Sequence, residues 1–363
     1  MKKTSPMSRL DATTTGGFSL VEIMIAMALS LLLLAGVATM FVSSKTTYEV
    51  NDRLTQVQEN GRFALETIMR DIRGAGYLGC FRPGLATKGT FTNTLNTPTA
   101  IAANYGNAVT GFDFQAPGTW APLLAPADVP NVTDGGDVIA VRLPVVGIPF
   151  LHLNAAMTSK TDDLHVDKFT AGTGPFHNNQ ILMLANCQHR TIFEITNYDD
   201  VGGVIQHNKS SATATSPGNA SDDLGYAFDP NNLNDGAGAL VVTQTTTYYI
   251  GSTDPTKPPS LWRRNGTGNA EELVDGIQDL QMLFGVNDSN DRFVTKYVTA
   301  NNIAPTDIVV SVSVGVLACS LDEYGTKTDT TTYDVLDDKF KAPGDRRLRQ
   351  VFSSTAMIRN NGL

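Results

Sequence analysis

Between Phe18 and Val42 the chain runs for 25 residues with a single ionisable side chain, Glu22. At 1.5 Å per residue a helix of that length spans roughly 37 Å, enough to cross a bilayer with some tilt. A carboxylate inside such a helix costs about 2.5 to 3.5 kcal/mol on insertion scales unless it reaches the headgroups or meets a cation. Glu22 lies five positions into the run, so position alone admits both a glutamate reaching back to the interface and one that needs a buried partner.

The segment Met1 to Gly17 carries Lys2, Lys3 and Arg9 against Asp11, a net charge of +2. Positive flanks stay in the cytoplasm, so the amino terminus is expected inside and everything after Val42 outside. An ordinary secretory signal peptide has a shorter apolar core of about 7 to 15 residues, followed by a small-residue cleavage site, and does not fit. Without these 17 residues the chain has 346 residues and a formal charge of −11. Such an acidic chain has no electrostatic reason to hold bulk nucleic acid or an anionic lipid surface.

After Val42 the pattern becomes amphipathic. Val50, Leu54, Val57, Gly61, Ala64 or Leu65, Ile68 and Ile72 recur at three- and four-residue steps among charged neighbours, and no proline occurs between Pro6 and Pro83. One helix is therefore expected from the apolar run to about Arg73, weakest at Gly36 and Gly61 and stopped by Gly74-Ala75-Gly76. Its second half should lie against a sheet. Strands are expected over 137–143, 180–184, 191–196, 240–250 and 308–319, with a final one inside 346–359. Ile308, Val310, Val312, Val314, Val316 and Ala318 form an apolar face of the 308–319 strand, which should meet the helix. The stretch 208–238 is dense in small polar residues and reads as a surface loop or local disorder; 85–132 reads as turn-rich, with Phe112, Phe114 and Trp120 as anchors.

Gly17-Phe18-Ser19-Leu20-Val21-Glu22 before a long apolar run resembles the type IV prepilin signature. The resemblance implies cleavage by a prepilin peptidase between Gly17 and Phe18, N-methylation of Phe18, and pairing of Glu22 with the amino terminus of a neighbouring subunit. Three further stretches resemble the PilW minor-pilin family: 59–64 continuing through 70–80; 272–281 with Phe284-Gly285 and Tyr297-Val298; and 346–352 to Ile358-Arg359-Asn360. The implied fold is α+β and pilin-like, a long amino-terminal helix packed on an antiparallel β-rich head with long loops. Its parts are a leader (1–17), a transmembrane or filament-core helix (18–43), an amphipathic helix (44–73) and a periplasmic or extracellular head (74–363).

The implied role is to join a priming or tip complex that supports type IV pilus assembly, twitching motility and attachment. The implied partners are other minor pilins, the major pilin, the prepilin peptidase, the inner membrane and the assembly platform. The subunit is expected in the inner membrane before assembly and on the cell-surface pilus afterwards. A minor pseudopilin of a type II secretion system shares the leader and the glutamate, and a tip adhesin or DNA-uptake module would place a ligand site within 85–270.

Three cysteines in an oxidising compartment imply one bridge and one spare thiol, and none forms a Cys-x-x-Cys pair. The family resemblance implies Cys80 to Cys187, leaving Cys319 as a buried thiol; Cys187 to Cys319 is the competing bridge. His152, His165, His177, His189 and His207 lack metal-binding spacing and read as loop residues. No nucleophile elbow or phosphate-binding loop occurs, so neither catalysis nor a cofactor is expected. The acidic clusters 287–291 and Asp337-Asp338 with Asp345 lack the glycine and terminal glutamate of a calcium loop and read as solvated turns. Arg346, Arg347 and Arg349 could form a docking patch, but a strand would send them to solvent and to nearby carboxylates.

Overall fold

The computed structural model describes residues 17–77, 90–232, 236, 238–287, 293–324 and 327–360. Its architecture is α+β, a long apolar amino-terminal helix and a β-rich head with mainly antiparallel sheets. The chain divides into two compact units, Met1–Asp52 and Arg53–Leu363.

Helix α1 spans Leu20–Gly74 without a break at Gly36 or Gly61. In the first unit every described residue from Gly17 to Glu49 is exposed. In the second unit the buried positions are Val57, Gly61, Ala64, Leu65, Thr67, Ile68, Met69, Asp71 and Ile72, the stripe expected from the three- and four-residue spacing. The stripe starts later than expected, because Val50 is half-buried and Leu54 is 37% exposed, whereas Val57 is fully covered. The helix stops where Gly76 takes φ of +68°, a conformation glycine adopts without strain. Asn360, near the other end of the sequence, donates from Nδ2 to the Ala75 carbonyl at 3.0 Å and satisfies an orphan acceptor there.

Two sheets cover the stripe. The larger runs Thr90–Asn93, His189–Glu194, Ile181–Ala185, Ala239–Gly251, Val138–Pro144, Val109–Ala116 and Thr119–Ala121, with Ser260–Asn265 and Ala270–Asp275 attached through Ala239–Gly251. The smaller runs Lys296–Val298, Ile277–Asn287, Ile308–Cys319 and Arg349–Met357. Antiparallel pairing holds throughout except between Thr90–Asn93 and His189–Glu194, which run parallel. One core joins helix and sheets: Ile68 and Ile72 pack with Val141, Tyr248 and Ile250 of the larger sheet and with Val312, Val314, Val316 and Ala318 of the smaller.

The alternation over Ile308–Cys319 thus places its apolar face as expected. Its second face is covered too, because Val335 and Leu336 lie over Gly315 and Leu317 is fully buried. Thirteen described strands escaped the sequence reading, Val109–Ala116 in the stretch read as turn-rich among them; three follow one another in sequence, Ser260–Asn265, Ala270–Asp275 and Ile277–Asn287. Their alternation is interrupted by charge (Arg263, Arg264, Glu271, Glu272) and by register shifts between Leu261 and Trp262 and between Ile277 and Asp279.

The stretch 208–238 corrects the expectation of a loop that buries little. Leu224 and Phe228 are fully buried in a second core with Leu182, Leu184 and Phe193, and Asn219 is fully buried as well. Asn219 exchanges hydrogen bonds with the Glu194 backbone at 2.8 Å, while the Glu194 carboxylate accepts from the Ser216 hydroxyl at 2.6 Å and the Gly218 amide at 2.8 Å. Polar composition here marks a loop tied down by hydrogen bonds.

Gly61 has a packing role. A Cβ there would collide with Cδ2 and Cε2 of Phe352, whose ring lies against the helix backbone. Overpacking of this kind costs about 1 to 3 kcal/mol, more than the roughly 1 kcal/mol that alanine returns in helix propensity. Gly61→Ala should therefore lower the melting temperature of the head. Gly36, with nothing within 4 Å of an added Cβ, should accept alanine without that loss. Equal melting curves for the two variants would contradict this account.

Candidate functional site

Gly17, Phe18 and Ser19 lie ahead of the helix with all three exposed, Phe18 at 81%. The Ser19 carbonyl accepts the first helical bond, from the Ile23 amide at 3.2 Å. The Gly17–Phe18 peptide therefore lies outside the helix. Glu22 stands in the first turn of α1, where a carboxylate is favoured by the partial positive charge of the free amides.

The remainder of the run suits an apolar surrounding. No residue of its most apolar window is buried within the chain. Four hydroxyls of this part of the helix return to it: Ser30 donates to the Met27 carbonyl at 3.0 Å, Thr39 to Gly36 at 2.8 Å, Thr46 to Val42 at 3.0 Å and Thr47 to Ser43 at 2.9 Å. These side chains are thus satisfied without water, which suits a bilayer. The first ion pair among the described residues of the helix is Lys45 with Glu49 at 3.7 Å.

In the head, Cys319 is a free buried thiol, its pKa pushed up to about 12 by burial. A bridge from Cys187 to Cys319 is thereby removed. Cys80 lies outside the described residues. Most of the 287–291 cluster, from Asp288 onward, also lies outside them. Asp345 is no partner of Asp337-Asp338, because both its oxygens are held by Arg349 at 2.6 Å. Among the described residues no group of three or more His, Cys, Asp or Glu side chains is arranged to hold a metal ion.

The three arginines near the end do not form one patch. Arg349 has a fully buried side chain that grips Asp345 and reaches Asp329 at 3.1 Å and the Gln278 side chain at 2.7 Å. Arg346 pairs with Glu323 at 3.1 Å, and Arg347 meets Asp345 at 3.5 Å. His152, His165 and His189 lie in strands, contrary to the loop reading; His207 is buried, with Nε2 2.9 Å from the Asp162 carbonyl, and His189 stacks on Tyr226.

Residues 247–360 match the family model of type IV pilus-assembly protein W, PilW. The match covers under a third of the chain. It contains the whole four-stranded sheet and two residues that touch the helix, Tyr248 and Phe352. The PilW-like stretches at 272–281, 284–285, 297–298 and 346–360 fall inside it, and the helix-exit stretch at 59–80 falls outside. No curated protein and no solved structure matches the chain.

Two buried polar features that involve the matched region were not anticipated. Tyr248, fully buried, donates to Asp71 Oδ2 at 2.6 Å, so a carboxylate on the helix stripe is satisfied by the central strand of the larger sheet. A charged residue one position from Ile72 on a buried face was the signal for it. The second feature is a group of carboxylates between the sheets. Asp137 accepts from the Phe114 amide at 2.9 Å with one oxygen and from the Met282 amide at 3.0 Å with the other. Nearby, the Gln281 amide donates to Asp279 Oδ1 at 2.9 Å and to the Gly135 carbonyl at 2.9 Å, while Asp279 Oδ2 is buried with no hydrogen-bond partner.

Burial pushes the Asp279 carboxyl up to about 7, with Asp338 and Asp337 adding like charge, and burial likewise raises Asp137 well above the usual range. Between pH 4 and 7 the folded state then binds protons that the unfolded state has lost, so stability falls as pH rises through that window. For Asp279 a shift of this size corresponds to about 4 kcal/mol. The head should melt at a higher temperature at pH 5 than at pH 8, and Asp279→Asn should flatten that difference; a melting temperature rising with pH, or an unchanged slope in the variant, would contradict it.

Proposed function

We propose that this chain is a PilW-type minor pilin that joins the priming or tip complex of a type IV pilus. The observation that carries the reading is the PilW match over 247–360, in a chain whose amino-terminal helix begins with an apolar, exposed stretch. The leader would be 1–17, the membrane or filament-core helix 18–43, the amphipathic helix 44–73 and the head 74–363. A prepilin peptidase cuts between Gly17 and Phe18, and Phe18 is N-methylated. The subunit rests in the inner membrane with its amino terminus inside, then passes through the assembly platform with other minor pilins and the major pilin to the cell surface. There it supports pilus assembly, twitching motility and attachment. No catalytic step is assigned to it.

Cys80 is the proposed partner of Cys187. Closing a loop of that length constrains the unfolded chain by about 4 to 5 kcal/mol in the entropy model.

Glu22 sets the register. In a bundle of apolar helices an unpaired carboxylate is costly, and the amino terminus of a neighbouring subunit offsets the cost only at the correct axial stagger.

Mass spectrometry of the protein from cells with and without the prepilin peptidase tests the first part. A mature chain beginning at methylated Phe18 is expected only when the peptidase is present, and a non-reducing digest should yield Cys80 and Cys187 in one linked peptide. An uncut chain in the presence of the peptidase defeats the pilin reading. Glu22→Ala should leave cleavage intact and reduce recovery of the subunit in sheared pili; recovery at the wild-type level would reject the register role.

A further inference from the structure

The strand Arg349–Met357 is the edge of the four-stranded sheet. It pairs with Ile308–Cys319 over nine consecutive positions with no register shift, and no other described strand pairs with it. Its outer row of backbone amides and carbonyls is therefore an unoccupied ladder among the described residues. Exposed edges are usually blunted by proline, by outward lysines or by a bulge. None of these occurs here. From Gln350 to Met357 the strand has neither a proline nor a charge, and the Arg349 side chain is turned inward onto Asp345 and Asp329.

An open cleft of about 690 Å³ lies beside this strand, between it and α1. The strand contributes Phe352, Ser353 and Ser354, and the helix contributes Arg62, Phe63, Arg70 and Arg73 among others. Phe63 is 54% exposed, a large apolar side chain left at the mouth. The three arginines are exposed and the cleft's one lining carboxylate is Glu66; Arg70 donates from Nε to Asp71 Oδ1 at 3.3 Å while Tyr248 holds Oδ2, whereas Arg62 and Arg73 make no ion pair among the described residues. This local excess of positive charge sits on a chain of net charge −9.

We propose that the outer edge of Arg349–Met357 and the adjoining arginine-lined cleft receive an extended, acidic segment of another protein as a fifth strand of the sheet. Main-chain hydrogen bonds to the bare edge would supply the affinity, and alternate side chains of the incoming strand would enter the cleft. Carboxylates on those alternate positions reach Arg62 and Arg73, while the intervening side chains point to the opposite face of the sheet. A second copy of this chain is the weaker occupant, because pairing two identical edges brings two arginine-lined clefts together. The inference does not depend on the role assigned to the apolar helix.

The test uses the full-length protein in detergent with a fluorescent peptide of alternating glutamate and valine, and the same peptide with lysine for glutamate. Binding of the glutamate peptide is expected by anisotropy at low salt and should weaken as salt rises. Arg62→Glu with Arg73→Glu, both at exposed helix positions, should weaken it about tenfold or more without changing the melting temperature. Hydrogen exchange read by mass spectrometry should slow by about tenfold over 349–357 when the glutamate peptide is present. Failure of that peptide to bind, equal binding of both peptides, or binding without protection of 349–357 would overturn the proposal. A dimer that protects the same strand without peptide, with dissociation shifted by the double variant, would overturn it in favour of self-pairing.

Discussion

Both sheets bury their inner faces against the same stretch of α1, from Val57 to Ile72, and that shared contact holds the head together. The larger sheet reaches it through Val141, Tyr248 and Ile250, and the smaller through Val312, Val314, Val316 and Ala318. Neither sheet could close a core of this size alone, since each would leave one apolar face in water. The seam is fixed by two unlike devices. At Gly61 the helix gives up a side chain so that the Phe352 ring can approach its backbone. At Asp71 it carries a carboxylate into the core, which becomes tolerable only where Tyr248 donates to it. Shape and polarity thus specify the same docking from opposite ends of the stripe.

Charged side chains recur inside the head in the same manner. Arg142 is buried and spends its donors on the Thr110 hydroxyl at 2.6 Å and the Ile101 carbonyl at 2.9 Å, and Arg349 is held by Asp345, Asp329 and Gln278. Glu194 fastens the loop around Ser216 to Asn219. Each of these groups belongs to a strand and reaches a loop or a neighbouring strand. Long polar connections therefore acquire fixed positions from a few buried charges, where burial of apolar area along them would not suffice.

This also explains which parts of the fold were legible in the sequence. The helix was readable because its periodicity persists over many turns and its stop is a cluster of glycines. The Ile308–Cys319 strand was readable because one face is wholly apolar. The loop 208–238 was misread because composition reports how much area a segment can bury, and Asn219 acts through its amide geometry instead. Ile277–Asn287 was missed because Asp279 and Gln281 interrupt the apolar alternation at positions that turn out to be buried. The glycine, phenylalanine and glutamate at the start of the helix stood out by register alone, whereas Asp71 and Tyr248 are 177 positions apart and can be joined only by the fold.

Glu22 differs from every buried charge of the head, because the helix around it supplies no compensating donor beyond its own first-turn amides. The hydroxyls of Ser30, Thr39, Thr46 and Thr47 further along α1 are closed onto backbone carbonyls. Two readings of the carboxylate, interfacial and paired, then describe two surroundings of one group. Two residues beyond the helix start at Leu20, it stands about 3 Å along the axis and can be solvated at the edge of a bilayer. Packed among other apolar helices it loses that solvent and must find a cation. The proposed transfer from membrane to filament is the change that would turn a tolerated charge into one that selects a partner and its axial position.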